Sequence, residues 1–580
     1  MSRMLRILSW IPTRKFRLDP QVRHDVFLGL LGFLFGASVI GFRNLSPTSL
    51  EWLQGDAIGA QITQEFYWRS PWWQFPFNAT PNYGVGWQTG LNQMAQNSIV
   101  TLAFKPIAVL FESGFQIQGI WLSSCFGAHA IIARRIFATL KTGRAAEYLG
   151  VVMLVLSPVL FSRIGTLWHP QLAAHWLILL AILMYLRKTS VWSWLLLISF
   201  SLSVMIYLCV IVTCVALAAL FNQRVLTHDI GNKVQRIRSF TAAVAAVMTA
   251  LVGSMILLGF GGYLGNSTVI TTGRYRLNLL AFFNPGDEGY DYLLRLASFF
   301  RFRVWPSEEG EGFAYLGLGV LLSLAILAFV VATRILPIRR DLIPLIFVAV
   351  LLFMTALSEG IAVGGREFAL PVPTPVIEIR QIFRAVPRFG WLAYYLLMIA
   401  GWHATSIFSR RVQLRGFHLT VLSTLALLQV TDVGPGVFSL HREISNVRAE
   451  FAPTLAAEWA PLLSKYDRVA IVPSVDASED DVDLTKDERA WFADNSLTQL
   501  AWLSSLNNVE LNYTFCSRSC IQSARRATKL VREELSRPGI ESGTIYVFAD
   551  EHEWRLISRE KGLKPQILSG LMVVVGPSSD

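Results

Sequence analysis

Long apolar runs recur along most of this chain, and short basic segments or longer polar stretches separate them. A helix that crosses the hydrocarbon core of a bilayer needs about 20 mostly apolar residues. The run lengths therefore predict an α-helical polytopic membrane domain over residues 25–435, with about eleven transmembrane helices. These helices are expected near residues 25–43, 116–137, 147–163, 170–187, 191–204, 206–222, 239–259, 313–333, 342–360, 389–408 and 416–433. The stretch 191–222 fits either two short helices or one long tilted helix.

Clusters of arginine and lysine occur between alternate apolar runs. Basic residues concentrate in the short cytoplasmic loops of membrane proteins, and here every cluster falls on one side if the N-terminus is cytoplasmic. Residues 1–24 then form a basic cytoplasmic leader. The longer loops 44–115, 260–312 and 361–388 face the opposite side, and so does the end of the chain.

The segment from Ser98 to Glu112 is apolar but short, and Lys105-Pro106 interrupts it. Counting it as a transmembrane helix would invert every later loop and place the basic clusters outside. The sequence therefore predicts that this segment is an interfacial helix at the outer membrane surface.

The chain is more polar over residues 436–580, where helical stretches alternate with short β-rich runs. This alternation predicts a small extracytoplasmic α/β domain with a partly parallel sheet. Its oxidising location would allow a disulfide between Cys516 and Cys520, whereas two cysteines without a second pair or a nearby histidine make a poor metal site. The β-rich runs are Arg468–Pro473, Val509–Thr514, Thr544–Ala549 and Leu571–Gly576.

The composition agrees with a membrane protein: 53% of the residues are hydrophobic and 16% are charged. Soluble domains usually carry about 25% charged residues. The net charge of +11 comes largely from the clusters between apolar runs, and no basic stripe or aromatic-interleaved patch lies outside them. The expected partner is therefore the lipid bilayer, and nucleic acid is not expected.

Candidate chemistry concentrates in the outer loops. Asp56 is followed by several aromatic residues, and a carboxylate beside aromatic rings can take a proton from a sugar acceptor while the rings stack on sugar faces. Aromatic residues also form the interfacial belts of many membrane proteins, which is the simpler interpretation. The loop arginines have donors suited to phosphate oxygens, or they are solvated or contact lipid headgroups. The candidate binding residues are Arg69, Tyr67, Trp72, Asn82, Tyr83, His169, His175, Asn278, Asn284, Glu311, Arg384 and Arg388.

A divalent metal ion is the one cofactor that the sequence leaves open, with Asp56, Glu309 and Glu311 as its candidate ligands. Acidic residues in a loop are more often simply solvated. His169 precedes Pro170 and fits a structural or hydrogen-bonding role better than a metal ligand.

A series of short motifs runs in order through residues 25–435. They include Gly55-Asp56, Phe66-Tyr67, Pro71-Trp72, Asn82-Tyr83-Gly84, Phe104-Lys105-Pro106, His169-Pro170, Asn278-Leu279-Leu280, Phe283-Asn284-Pro285, Glu311-Gly312-Phe313, Phe383-Arg384-Ala385 and Arg388-Phe389. This series resembles a bacterial family of polytopic proteins grouped with the GT-C superfamily of glycosyltransferases. The resemblance implies a GT-C-like fold in the bacterial inner membrane, polyprenyl-phosphate-linked sugar donors, and a catalytic acid that maps onto Asp56.

The sequence thus favours an inverting membrane glycosyltransferase that moves a sugar from a polyprenyl-phosphate-type carrier to an envelope glycan or lipid acceptor. Two alternatives stay open: a lipid or glycan transporter or flippase, and a non-catalytic envelope assembly partner. A transporter usually carries ionisable or Gly/Pro-broken helices near the membrane midplane. Here the apolar runs are nearly free of charge, and polar residues concentrate in the outer loops.

Overall fold

The computed structural model describes residues 19–85, 90–91, 97–165, 169–227, 232–260, 275–285, 311–335, 339–358, 360–369, 371, 383, 385–412, 414–447, 455–474, 495–514 and 521–578. The described chain is mostly helical, with a small sheet near its C-terminus. Residues 1–18 of the predicted leader and the candidate residues Glu309, Arg384, Cys516 and Cys520 lie outside the described residues.

Fourteen helices, numbered α1 to α14, are described before the C-terminal domain. They are α1 (Pro20–Ile40), α2 (Asp56–Arg69), α3 (Ser98–Ala108), α4 (Gln118–Thr139), α5 (Arg144–Val155), α6 (Pro158–Phe161), α7 (Trp176–Arg187), α8 (Val191–Val204), α9 (Ile206–Phe221), α10 (Lys233–Leu258), α11 (Leu318–Ala332), α12 (Ile343–Ala356), α13 (Trp391–Arg411) and α14 (Phe417–Asn446). A hairpin of β1 (Gly360–Val363) and β2 (Arg366–Ala369) follows α12.

The chain is a membrane protein by the length and composition of its helices. Within the described residues, six helical segments are long and apolar enough to cross a bilayer: Pro20–Ile40, Arg144–Phe161, Pro170–Arg187, Ile206–Leu226, Lys233–Leu258 and Phe417–Asn446. The other predicted runs also contain helices, but these are shorter or less apolar. Residues 191–222 form two helices, because Met205 has extended backbone angles between α8 and α9.

Small residues bring α1 close to α4, the helix against which it packs most extensively. A Cβ atom added at Gly32 would lie 2.7 Å from the carbonyl oxygen of Phe126, and one added at Gly127 would lie 2.8 Å from that of Gly29. Small residues allow such close backbone approach between membrane helices. Near the N-terminal end of α1, Asp25 pairs with Arg134 and Arg135. We call this end of the bundle the basic end and the opposite end, where α1 leads into residues 41–55, the loop end.

Helix α14 continues to Asn446, past the predicted domain boundary at residue 435. Pro435 lies inside the helix and removes one backbone donor, which costs about 3 kcal/mol in an isolated helix. Val433 precedes this proline, and Leu440 and Ile444 follow it; all three are buried and lie at helical spacing. Packing of this face therefore maintains the helix on both sides of Pro435.

The C-terminal domain is built on a five-stranded sheet of order β4-β3-β5-β7-β6. Strand β3 is parallel to β4 and β5, whereas β7 is antiparallel to β5 and β6, so the sheet is partly parallel as predicted. The sheet also includes one short strand, β6, that the β-rich runs did not predict. Its elements are α15 (Ala456–Leu463), β3 (Arg468–Val472), α16 (Asn495–Leu506), β4 (Glu510–Leu511), α17 (Ile521–Leu535), β5 (Thr544–Phe548), α18 (Glu551–Glu560), β6 (Gln566–Leu568) and β7 (Leu571–Val575).

The C-terminal domain packs against the first loop of the membrane domain. The backbone N–H of Leu511 donates to Asn82 O at 2.9 Å, and that of Val85 donates to Leu511 O at 3.0 Å, so the loop extends the sheet beyond β4. Helix α16 packs along α2, and its Trp502 contacts Gly114. Helix α2 also packs against α3, so it is held both by α3 and by the C-terminal domain.

Candidate active site

Asp56 is the first residue of α2, at the loop end of the bundle. The preceding Gly55 has a φ of 51° and a ψ of −132°, a conformation that glycine adopts without strain. An acidic side chain in the first turn of a helix is stabilised by the helix dipole. About half of the Asp56 side chain (51%) is exposed, so this carboxylate is both held in place and accessible.

Four further charged side chains join Asp56 in what we call the charged cluster: Arg163, His169, Glu311 and Arg388. His169 links the two acids, since its Nδ1 lies 3.1 Å from Asp56 Oδ2 and its Nε2 lies 3.6 Å from Glu311 Oε1. Arg163 Nη1 and Arg388 Nε each donate to Glu311 Oε2 at 2.9 Å. A second bond from Arg388 Nη2 reaches Glu311 Oε1, which makes this pair bidentate.

Aromatic rings form the walls that hold the two guanidinium groups. The Arg163 guanidinium lies 5.2 Å from the ring centre of Trp391, and that of Arg388 lies 4.6 Å from the ring centre of Tyr207. Contacts of this kind stabilise a cation most where water is excluded, and Arg163 is fully buried. His175 packs its ring 4.3 Å from that of Trp391, so it supports the wall rather than joining the ion pairs.

Each member of the charged cluster shifts the pKa of its neighbours. Burial alone would raise the pKa of Glu311, but the charges of Arg388 and Arg163 lower it well below 4.5. Burial also acts to raise the pKa of Asp56, and the hydrogen bond and charge of His169 outweigh it, so this pKa is lowered as well. For His169, burial acts to lower the pKa, and the hydrogen bonds to Asp56 and Glu311 raise it above 6.5.

With both acids ionised and His169 protonated, the cluster holds three positive and two negative charges. Its net charge of about +1 favours an anionic ligand, because charges in a poorly hydrated site interact more strongly than in water. Glu311 is engaged by three cationic side chains, whereas Asp56 contacts one and is exposed. Asp56 is therefore the carboxylate that a ligand can reach.

Three of the predicted binding residues, Tyr67, Arg69 and Trp72, lie at the other end of α2. Arg69 donates to Glu65 at 2.8 Å, and burial raises the pKa of Glu65 to about 7. Lys105 donates to Tyr67 O at 2.9 Å and lies over the rings of Tyr67 and Trp72. These contacts fix α3 and the following turn against α2, away from the ion pairs of the cluster.

The remaining predicted residues also have structural partners. Asn82 donates to Asn508 at 3.1 Å, and Tyr83 stacks on Phe66 with ring centres 4.6 Å apart. Asn278 joins the second loop to the hairpin by donating to Gly364 O and accepting from Gly364 N. A hydrogen bond of 2.7 Å joins His175 Nδ1 to the hydroxyl oxygen of Tyr395. Asn284 is buried. Any role of these residues in substrate binding stays a prediction.

Two of the three candidate metal ligands, Asp56 and Glu311, are described, and His169 lies between them. No group of three or more His, Cys, Asp or Glu side chains with suitable geometry occurs in the part of the chain that the structure describes. Both oxygens of Glu311 already accept hydrogen bonds from guanidinium groups. Asp56 is the described carboxylate of the cluster that an added cation could reach.

Sequence reasoning did not assign roles to Arg163, Tyr207 and Trp391. The sequence offered one signal for Arg163: it is a charged residue at the end of the apolar run 147–163, and a charge at such a position usually has a partner. Tyr207 and Trp391 begin apolar helices, and in sequence such residues are indistinguishable from an interfacial aromatic belt.

The comparisons with known proteins give two matches. A family described as a domain of unknown function, DUF6311, matches residues 29–434. The DUF6311 C-terminal domain matches residues 458–575. No curated protein and no solved structure matches the chain. The two matches coincide with the helical membrane domain and with the sheet-containing domain.

Proposed function

We propose that this chain, which belongs to the DUF6311 family and whose family description gives no activity, is an inverting membrane glycosyltransferase. The charged cluster is the feature that supports this function. It transfers a sugar from a polyprenyl-phosphate-type lipid carrier to a glycan or lipid acceptor of the cell envelope. In this proposal the membrane domain has a GT-C-like fold with about eleven spans in a bacterial inner membrane. The loop end is extracytoplasmic, and the N-terminus is cytoplasmic.

The observation that carries the proposal is an accessible carboxylate beside two buried guanidinium groups. Asp56 is about half exposed (51%), and its partner His169 lies between it and the Glu311 pairs of Arg163 and Arg388. A sugar-phosphate substrate needs a group that accepts a proton from the attacking hydroxyl and positive charge near the departing phosphate. The charged cluster supplies both within one site.

The reaction is a single displacement at the anomeric carbon. The acceptor oxygen forms a bond to that carbon while the bond from carbon to the carrier phosphate oxygen breaks, and the phosphate leaves with the electron pair. The acceptor proton passes to Asp56. Because attack and departure occur on opposite faces of the sugar, the configuration inverts.

The lowered pKa of Asp56 fixes its charge before the reaction, although it also makes this carboxylate a weaker base than an ordinary aspartate. Asp56 has a lowered pKa, so it is ionised at neutral pH and can accept the hydroxyl hydrogen bond before the proton moves. His169 holds the carboxylate through its 3.1 Å contact, which makes it a positioning residue. Glu311 holds Arg163 and Arg388 in fixed orientations, so their charge is already in place when the phosphate develops negative charge.

The surroundings fit a lipid-linked substrate. On α3 the polar face is turned inward, whereas Ile99, Leu102 and Ile107 are exposed on the opposite face. Trp73, in the segment that follows α2, is 89% exposed. An exposed apolar face beside bulky aromatic residues is typical of an interfacial helix, which would place α3 where the carrier headgroup lies. A divalent cation, where the reaction uses one, would bind Asp56 and neutralise charge on the phosphate.

A complementation experiment tests the proposal. Cell-envelope glycans of a deletion strain and its parent are compared by mass spectrometry, and the deletion strain is complemented with wild type, Asp56→Asn or Glu51→Gln. We expect a glycan to lose a sugar on deletion, wild type and Glu51→Gln to restore it, and Asp56→Asn to leave it missing. Glu51 is an exposed acid of the same loop, paired with Arg43, and serves as the matched control.

The expression level and the membrane insertion of Asp56→Asn must equal those of wild type. Full restoration by Asp56→Asn would refute sugar transfer and would favour a transporter or an assembly partner, since neither needs this carboxylate as a proton acceptor. An unchanged glycan profile in the deletion strain would refute the proposal as well.

A further inference from the structure

A groove of about 800 Å³ lies between α9, α10 and α12 at the basic end of the bundle. Helix α9 begins at the charged cluster, where Tyr207 contacts Arg388, and ends at this groove with Phe221. At 1.5 Å per residue, the two sites are roughly 20 Å apart along α9. We call this cavity the basal groove, and it is separate from the charged cluster.

The walls of the basal groove are apolar, and one end is polar. Phe221, Phe240 and Phe347 line the walls, while Asn222 and Arg340 lie at the polar end. The apolar lining continues along the exposed face of α12, where Ile343, Phe347 and Val350 are each more than half exposed. An apolar cleft that opens onto a lipid-facing helix surface fits a hydrocarbon chain better than a soluble molecule.

Hydrogen bonds fix the side chains at the polar end of the basal groove. Tyr185 and Asn222 both donate to the carbonyl oxygen of Asp341, at 2.6 Å and 3.0 Å. This bond fixes the Asn222 amide, whose Oδ1 is buried without a hydrogen-bond partner among the described residues. At Asn222 the chain leaves α-helical geometry for a π-helical turn through Leu226, a distortion that often occurs at binding sites. Asn222 therefore leaves one buried oxygen acceptor unsatisfied at the lining of the groove, and a donor on a ligand would satisfy it.

The charge at this end is positive. Arg339 donates to both carboxylate oxygens of Asp341, at 3.1 Å and 2.6 Å. This hydrogen bonding lowers the pKa of Asp341, and the charge of Lys188 contributes to the same shift. Arg340 is exposed and has no partner in the described part of the chain. Because Asp341 is already neutralised by Arg339, Arg340 is available for a phosphate.

We propose that the basal groove binds an anionic phospholipid with a hydroxyl-bearing headgroup, such as phosphatidylglycerol. One acyl chain lies against the aromatic walls, the phosphate pairs with Arg340, and a headgroup hydroxyl donates to Asn222 Oδ1. A zwitterionic lipid carries its own cation beside the phosphate and gains less from Arg340. This inference is independent of the proposed sugar transfer.

The test uses the purified full-length protein in detergent micelles. The midpoint of thermal unfolding and the bound lipid in native mass spectrometry are measured with phosphatidylglycerol, phosphatidylcholine or inorganic phosphate. Wild type, Arg340→Gln, Arg340→Lys and Arg366→Gln are compared. Arg366 is an exposed arginine of the β1–β2 hairpin and serves as the matched control.

We expect phosphatidylglycerol to bind wild type and Arg366→Gln at least tenfold more tightly than phosphatidylcholine. Arg340→Gln should weaken phosphatidylglycerol binding about tenfold, which corresponds to about 1.4 kcal/mol, and Arg340→Lys should retain part of the binding. Equal binding of the two lipids by wild type overturns the proposal. Unchanged phosphatidylglycerol binding by Arg340→Gln does so too, and so does stabilisation by inorganic phosphate alone.

Discussion

Replacing Glu311 by Gln tests whether the charged cluster is organised around one buried acid. Gln has nearly the same shape but no charge, so the change leaves Arg163 and Arg388 buried without a counter-ion. Both arginines bond Glu311 at 2.9 Å, and less than a tenth of any of these three side chains is exposed. Removing one partner of a buried ion pair costs about 3–5 kcal/mol. We expect a loss of stability of that size.

The matched control is Glu51→Gln, the same substitution in an exposed pair. Glu51 bonds Arg43 with about half or more of each side chain in solvent, and such pairs contribute about 0–1 kcal/mol. A second variant, Glu311→Asp, keeps the charge and should retain more stability than Glu311→Gln. The difference between these variants therefore measures the buried charge rather than the loss of a glutamate.

The assay is the unfolding midpoint of each purified variant in detergent, followed by the fluorescence of the many tryptophans. Glu311→Gln should unfold well before wild type, whereas Glu51→Gln should unfold with it. Equal midpoints for the two glutamine variants would show that Arg163 and Arg388 do not depend on Glu311. Glu311 would then not be the group that holds the two positive charges in place.

Two further predictions follow from the same contacts. The raised pKa of His169 contributes stability that is fully present below pH 6.5 and is lost as pH rises through the folded-state pKa. The lowered pKa values of Glu311 and Asp56 contribute stability that is fully present at neutral pH and is lost progressively as pH falls below the ordinary values of 4.5 and 3.8 towards the folded-state pKa values. His169→Gln should therefore flatten the decline of the unfolding midpoint above pH 6.5, and an unchanged decline would contradict this. Tyr83 lies between Asn82 and Val85, whose backbones bond Leu511, and its buried ring stacks on Phe66 of α2. Tyr83→Ala should therefore loosen this loop, destabilise its contact with the C-terminal domain by about 3 kcal/mol and expose that domain to limited proteolysis. Trp73→Ala, in the same loop but at a residue that is 89% exposed, should not. Equal protease resistance of the two variants would contradict the role of Tyr83.

The sequence predicted the helical membrane domain because bilayer-length apolar runs are a strong signal. Each of the eleven predicted runs contains a helix, although six helical segments meet the length and hydropathy expected of a span within the described residues. It also placed Asp56, His169, Glu311 and Arg388 among its candidate residues, because all four lie in the predicted outer loops or at the outer junctions between apolar runs. Run order alone could not show that these four side chains contact one another.

The environment of α2 could not be predicted from periodicity. Tyr67 and Arg69 were grouped with Asp56 because they lie close in sequence, but α2 is buried around most of its surface and has no distinct apolar face. It packs against α3, the next helix along the chain, and against the C-terminal domain, which lies at the far end of the chain. Contacts such as that of Asn82 with Asn508 depend on docking of the C-terminal domain, for which a single sequence gives no signal.

The position of the charged cluster explains how a membrane protein maintains five ionisable side chains together. Arg163 follows α6, Glu311 precedes α11 and Arg388 precedes α13, so none of the three lies inside a membrane-spanning helix. The adjoining helices fix the depth of these side chains, and their mutual pairing removes most of the cost of burial. Asp56 reaches the cluster from α2 and stays half exposed, so its charge is the least compensated by the protein. A substrate that brings both a hydroxyl and a phosphate to this end complements the exposed acid and the net positive charge at once.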